Sequence, residues 1–277
     1  TLGLQGGEDE IRLASTLVGS YWLRGDFVRA EILAQQVIHR AEGHGSRRSR
    51  GSAYWNASLV AEARGRLPLA IEFAERALAL FADDTDDRNI ARLRVDYAWL
   101  LLRKNPPEVT RAEQLLTSAQ ETLESLNLHL DLAYCRTELA RCLLHLNKVD
   151  DALRAAESAV STLAPKHIIE TARAHLVLAY ARHLSGDTDA AIEAVEQAYA
   201  QLDEPNQGWQ ALSLWRELAD LFEHLDSADR AAAAYRRLAD AAGAHSVPSP
   251  LNVSTSDGGQ APRPDERSNA AQVGSAR

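Results

Sequence analysis

A chain of 277 residues accommodates one elongated repeat domain or two globular ones, and its 45% apolar content supplies a core although only 6% of residues are aromatic. A formal charge of −9 excludes unaided grip on a phosphate backbone. No apolar run approaches the ~20 residues of a membrane span, and Thr1 to Glu10 has neither the basic flank nor the apolar stretch of a signal peptide, so a cytoplasmic chain without membrane contact is expected.

From the N-terminus, residues 1–7 read as a flexible segment, followed by six units near 8–45, 48–84, 88–126, 128–165, 167–204 and 208–243. Each unit consists of two amphipathic helices with apolar residues at three- and four-residue spacing. The first places Leu17 and Tyr21 before a Gly25-Asp26-Phe27 turn, then Ala30, Ala34 and Val37. The second has Ala57, Ser58 and Ala61, a turn at Gly65, then Ala70, Ala74 and Ala77. In the third, Tyr97, Ala98 and Leu101 precede Asn105-Pro106-Pro107, and Ala112, Leu116 and Ala119 follow. The fourth runs Leu139, Ala140, Leu143, then Ala152, Ala156 and Ala159, with Pro165 closing it. The fifth has Leu178 and Ala179, a Gly186-Asp187 turn, then Ala191, Val195 and Ala198. The sixth carries Trp215, Leu218, Ala219 and Phe222, then Asp226-Ser227, then Ala231, Tyr235 and Leu238. Residues 244–277 lack an apolar period and are rich in Pro, Ser, Gly, Asn and Gln, which predicts a disordered polar tail.

One alanine recurs near the start of every second helix: Ala30, Ala70, Ala112, Ala152, Ala191 and Ala231, with gaps of 40, 42, 40, 39 and 40 residues. A period of this size marks a solenoid, in which a unit buries its apolar face only by stacking on its neighbours. Val and Ile never alternate over a strand length, so no sheet is expected. Cys135 and Cys142 fall seven apart on one predicted helix, roughly 10 Å along its axis. That is too far for a mutual disulfide, and buried free thiols in a reducing compartment follow.

The sixth unit resembles the tetratricopeptide pattern W-x2-L-G-x2-Y…A-x3-F, and the other five repeat it less fully in register. The resemblance implies an all-α fold, a right-handed α-α superhelix of about six helix pairs over 8–243. The period departs from the family's usual ~34 residues; the extra residues fall between units, as in the run Ala82 to Asp87. Longer helices of this kind resemble the tetratricopeptide sensor domains of bacterial transcription regulators. Arginine outnumbers lysine by 27 to three, alanine is abundant and methionine is absent even at position 1. Those biases suggest a piece of a longer product from a GC-rich genome. They resemble the C-terminal part of an actinobacterial helix-turn-helix regulator, in which the repeats bind a peptide or mediate dimerisation. DNA would then be contacted only through a domain N-terminal to this chain. The alternative is a stand-alone scaffold for protein–protein interaction.

No catalytic or cofactor motif emerges. The sequence has no P-loop, dinucleotide-binding glycine fingerprint or Gly-x-Ser-x-Gly elbow, and the histidines lack metal-ligand spacing. His175 and His183 share a helical face without a carboxylate third ligand, so a structural role is expected. The run Asp83 to Asp87 lacks the glycine and terminal Glu of a calcium loop, and Arg47-Arg48-Ser49-Arg50 reads as a charged surface turn. A non-enzymatic binding protein without cofactor or metal is expected.

In the resembled family, the outer faces of the first helices line a concave groove. That register selects Arg12 and Trp22 in the first unit, Trp55 and Glu62 in the second, and Arg92, Trp99 and Arg103 in the third. It continues through Tyr134, Arg141 and His145, then Arg173, Tyr180 and His183, then Arg216 and Asp220. Arginine forks beside aromatic faces suit an extended peptide, especially one bearing carboxylates. The alternative is that these side chains belong to the core or pair with acids on neighbouring helices. Ser15 and Gly19 stand where chaperone-tail binders carry their clamp residues, so that carboxylate clamp is not expected. Leu13, Leu17 and Leu23 should be partly exposed if a preceding helix packs there in a longer protein.

Overall fold

The computed structural model describes residues 7–82, 86–163, 166–204 and 208–243. The chain divides into two units, Thr1–Gly243 and Ala244–Arg277, and every described residue belongs to the first. The expected disordered tail, Asp83 to Thr85 of the acidic run, Pro165 and the first six residues lie outside the described residues.

The described residues form twelve helices and no strand. The first pair is α1 (Glu8–Leu23) and α2 (Phe27–His44), the second α3 (Arg47–Ala63) and α4 (Leu67–Phe81), the third α5 (Asp87–Leu102) and α6 (Val109–Ser125). The fourth is α7 (His129–His145) and α8 (Val149–Thr162), the fifth α9 (Ile168–Leu184) and α10 (Thr188–Leu202), the sixth α11 (Ala211–His224) and α12 (Ala228–Ala241). Each first helix packs on its own second helix, and successive pairs stack, which gives the expected α-α solenoid of six helix pairs.

The periodic alanines explain the stacking. Each is the fourth residue of an even-numbered helix, and all six are 0–2% exposed. In α4 the buried stripe is Ala70, Ala74, Ala77 and Phe81; in α6 it is Ala112, Leu116, Ala119 and Leu123. Steps of four, three and four keep those side chains on one face. A methyl group at the crossing lets the paired helices approach without the gap a longer side chain forces.

The turns within pairs share one chemistry. Gly25, Gly65, Asn147, Gly186 and Asp226 all have positive φ, from 55° to 89°. In each case the following amide donates to the carbonyl five residues back: Asp26 to Tyr21, Arg66 to Ala61, Lys148 to Leu143, Asp187 to Arg182 and Ser227 to Phe222. This is the Schellman closure, which satisfies carbonyls left open at a helix end. The third unit departs from it through Asn105-Pro106-Pro107, where Glu108 donates to Leu101 instead.

Cys135 and Cys142 are buried free thiols, and burial pushes each up to about 12. Leu13 and Leu23 are 67% and 61% exposed, while Leu17 is half-buried. Among the described residues no helix is long and apolar enough to cross a membrane.

One contact departs from nearest-neighbour stacking. Trp209, just before α11, donates its indole N–H to the Trp22 carbonyl at 2.8 Å, 187 residues away. Its ring stands edge-on to Trp22 and Phe27, with centroids 5.1 and 4.9 Å apart. Gly25 makes room for it, since a Cβ there would lie 3.2 Å from Trp209 Cδ1. The sixth unit thus touches the first.

Candidate functional site

The first helices wall a cavity of about 360 Å³. Trp22 and Leu23 come from the last turn of α1, and Trp55, Ser58, Leu59 and Glu62 from the second half of α3. Helix α5 gives its middle, from Arg92 to Leu100, and α7 its first half, from Asp131 to Glu138. Glu170 and Arg173 come from the first turns of α9, while Gln210 and Ser213 stand at the start of α11 with Trp209 before it. The lining therefore shifts from the C-terminal ends of the early first helices to the N-terminal ends of the late ones. A superhelical stack does this because each pair is rotated against the one before it.

Trp99 is the centre of a charged cluster. The guanidinium carbons of Arg103, Arg141 and Arg173 lie 5.5, 5.3 and 5.9 Å from its ring centroid, within cation–π range. Each arginine also has a carboxylate. Arg103 bonds Glu62, Arg141 bonds Glu217 and stands 3.5 Å from Glu138, and Arg173 is 3.7 Å from Glu138. Burial opposes the charge of Arg141, yet Glu217 and Glu138 hold its protonation above the ordinary arginine range.

A second cluster joins α3, α5 and α7. Trp55 Nε1 donates to Asp96 Oδ2 at 2.8 Å, and the Arg92 guanidinium lies 5.6 Å from the Trp55 ring centroid. Asp131, 6% exposed, takes Arg88 at 2.7 Å and Arg92 at 3.8 Å. Burial raises the Asp96 carboxyl to about 6, against the pull of the Trp55 hydrogen bond and of Arg92 and Arg173. Burial and the nearby Glu170 push the Tyr134 hydroxyl up to about 12.

The structure gathers seven of the fifteen sequence-selected residues at the cavity: Trp22, Trp55, Glu62, Arg92, Trp99, Tyr134 and Arg173. Arg103 and Arg141 press on Trp99 without lining the cavity. The others lie away from the walls. Arg12 pairs with Asp9 at 2.9 Å on the exposed surface, and Arg216 pairs with Asp220, which also accepts from Tyr235 Oη at 2.6 Å. Tyr180 Oη donates to the Glu217 carbonyl at 3.4 Å. His145, lowered from its usual range by desolvation and the Arg141 charge, and His183, with a buried Nδ1 lacking a partner, sit in the last turns of α7 and α9. The register drift is the physical reason: the lining moves toward the N-terminal ends of the late first helices, so α9 keeps Arg173 at the wall but loses Tyr180 and His183, and α11 loses both of its residues.

The arginine forks expected to suit a ligand carboxylate have intramolecular partners. The two arginines on the walls and the two behind Trp99 are engaged by acids of the same chain. Sequence reasoning missed Ser58, Asp96, Asp131 and Glu138, although Asp96 and Glu138 stand four residues after the selected Arg92 and Tyr134, on the same face. It also missed Trp209, which belongs to no repeat position. Among the described residues no group of three or more His, Cys, Asp or Glu is placed to hold a metal ion.

No family model matches the chain, and no curated protein matches it. Solved structures do. NprR in complex with its cognate peptide NprX aligns at 13% identity with a TM-score of 0.66, covering 87% of this chain and 69% of that one. A Rap protein complexed with competence and sporulation factor aligns at 16% identity and TM-score 0.61, covering 86% and 78%. BtubC (BKLC) from P. vanneervenii aligns at 21% identity and TM-score 0.57, covering 72% and 84%. At these identities the likeness establishes the fold, a tetratricopeptide-like solenoid.

Proposed function

We propose that this chain is a non-enzymatic peptide- or protein-binding domain whose ligand occupies the cavity walled by the first helices. The observation that carries the reading is the cavity itself: about 360 Å³, walled by Trp22, Trp55, Trp99 and Trp209, with polar groups set between them. Apolar walls with a few placed polar groups are the usual make-up of a ligand site. Two structures of similar fold, NprR with its cognate peptide NprX and a Rap protein with competence and sporulation factor, are complexes with a bound signal, which supports a ligand-binding use here.

The finer reading is that the domain is the sensing or dimerisation part of a bacterial helix-turn-helix transcription regulator, acting in the cytoplasm. DNA would be contacted only by a domain outside this chain. Support comes from NprR, a quorum sensor of similar fold, and from the arginine and alanine bias. Ligand binding would then shift the population of superhelix states. A stand-alone scaffold is the alternative, and the coding region upstream of Thr1 decides between them. A helix-turn-helix of about 60 residues in frame supports the regulator; an unrelated domain or a nearby stop codon overturns it.

Peptide binding is tested by selecting displayed random heptapeptides on the purified chain, then titrating the enriched peptide against tryptophan fluorescence. Four of the five tryptophans line the cavity, so a saturable change is expected, weakened in Tyr134→Ala. Absence of any enrichment over an unrelated bait would refute the reading.

A further inference from the structure

The walls of the cavity are acidic. Five carboxylates line it, those of Glu62, Asp96, Asp131, Glu138 and Glu170, against the two guanidinium groups of Arg92 and Arg173. Both wall cations already face counter-ions, Asp131 at 3.8 Å and Glu138 at 3.7 Å. Glu62, Asp131 and Glu138 are themselves engaged by Arg103, Arg88 and Arg141, and Asp96 accepts from Trp55. An entering anion must displace an existing pair, whereas an entering cation finds the Glu170 carboxylate open.

Unpartnered groups mark where such a ligand fits. Glu170, half-buried in the first turn of α9, makes no hydrogen bond or ion pair among the described residues. Ser58 is wholly buried, yet its Oγ has no hydrogen-bond partner among the described residues. Glu138 is 4% exposed, and its Oε2 accepts no hydrogen bond although Arg141 Nε stands 3.5 Å away. Trp22 Nε1 is a fourth open group, a donor at the other end of the cavity. Buried polar groups are nearly always paired, so three open buried atoms around a single cavity, beside the half-buried Glu170 carboxylate, point to something that completes them.

We infer that the ligand is a peptide presenting a basic side chain, its ammonium or guanidinium group held between Glu170 and Glu138. Its aliphatic stem lies along the tryptophan walls, and the Trp22 indole N–H meets a backbone carbonyl of the peptide. The inference rests on the peptide-binding reading above and specifies the class of peptide.

The test uses the heptapeptides enriched on the full chain. The expected sequences carry Lys or Arg at one fixed position. Exchanging that residue for norleucine should weaken binding to the wild type about tenfold or more, because a charge-assisted contact is lost. Glu170→Gln should weaken the Lys or Arg peptide by a similar factor and leave the norleucine peptide unchanged, with thermal unfolding unaltered. Enrichment of acidic or uncharged peptides, or equal binding of the Lys and norleucine forms, overturns the basic-ligand inference and leaves peptide binding standing. A strong lysine effect untouched by Glu170→Gln overturns the placement of the cation. No enrichment at all overturns both readings together.

Discussion

Asp96 carries a measurable penalty at neutral pH. Its carboxyl, ordinarily at 3.8, is raised to about 6 in the folded chain by burial. Arg92 on its own helix and Arg173 on α9 favour its charge, Glu138 on α7 opposes it, and the Trp55 indole from α3 donates to it. A shift of that size corresponds to on the order of 3 kcal/mol of unfavourable ionisation free energy at neutral pH. Below 3.8 the carboxyl is protonated in both states and adds nothing. Between 3.8 and 6 the folded chain holds a proton that the unfolded chain has released, so stability falls as pH rises. Above 6 the penalty is complete and constant.

Asp96→Asn removes the ionisation and keeps an oxygen to accept from Trp55. The attraction to Arg92 and Arg173 disappears with the charge, so the net gain is smaller, ~1–2 kcal/mol at pH 7.5. For a chain of this size that is a rise of ~2–8 °C in Tm. Thermal unfolding followed at 222 nm from pH 3.5 to 8, on both proteins, should show a difference that opens between 3.8 and 6 and is flat above. A pH-independent difference, or a variant less stable at pH 7.5, would refute the reasoning. Asp96 would then act chiefly as the counter-ion of the two arginines.

Three further outcomes follow from the packing. Arg141→Ala leaves Glu217 and Glu138 without their buried cation and should cost ~3–5 kcal/mol in denaturant unfolding; an unchanged midpoint would show that the pair is solvated. Ala152→Leu forces a larger side chain into a fully buried helix crossing and should cost ~1–3 kcal/mol, with calorimetry as the check and an unmoved Tm as the refutation. Gly25→Ala and Gly65→Ala both strain a positive-φ turn by ~1–2 kcal/mol, but only Gly25 meets a neighbour, Trp209. Gly25→Ala should therefore be the more damaging, and the excess should vanish in a Trp209→Ala background; equal losses would mean that the Trp209 contact contributes nothing.

The solenoid was legible because its signal is local and repeated. A methyl-sized residue at the helix crossing recurs in all six units, and a Gly, Asn or Asp at a left-handed turn in five of them, and both are backbone demands. They can be read from one unit and checked against the others. The cavity was half legible for a related reason. Trp55, Trp99 and Tyr134 lie where an average register places them, but the rotation between successive pairs accumulates, and by α11 the same positions face elsewhere. The pairing of Arg141 with Glu217 spans 76 residues and joins non-adjacent units, so no local pattern announces it. Trp209 lies at the start of the sixth unit, ahead of α11, where the helical repeat imposes nothing.

That position has a consequence for how the protein could have grown. An open stack gains or loses a unit by duplication or deletion with little penalty, because each unit answers only to its neighbours. Here the edge of the first unit receives a side chain that the sixth supplies, and the Gly25 turn leaves just enough room for it. Inserting or removing an internal unit would carry Trp209 away from Trp22 and open the end of the cavity that both residues wall. The number of repeats is thereby coupled to the integrity of the site.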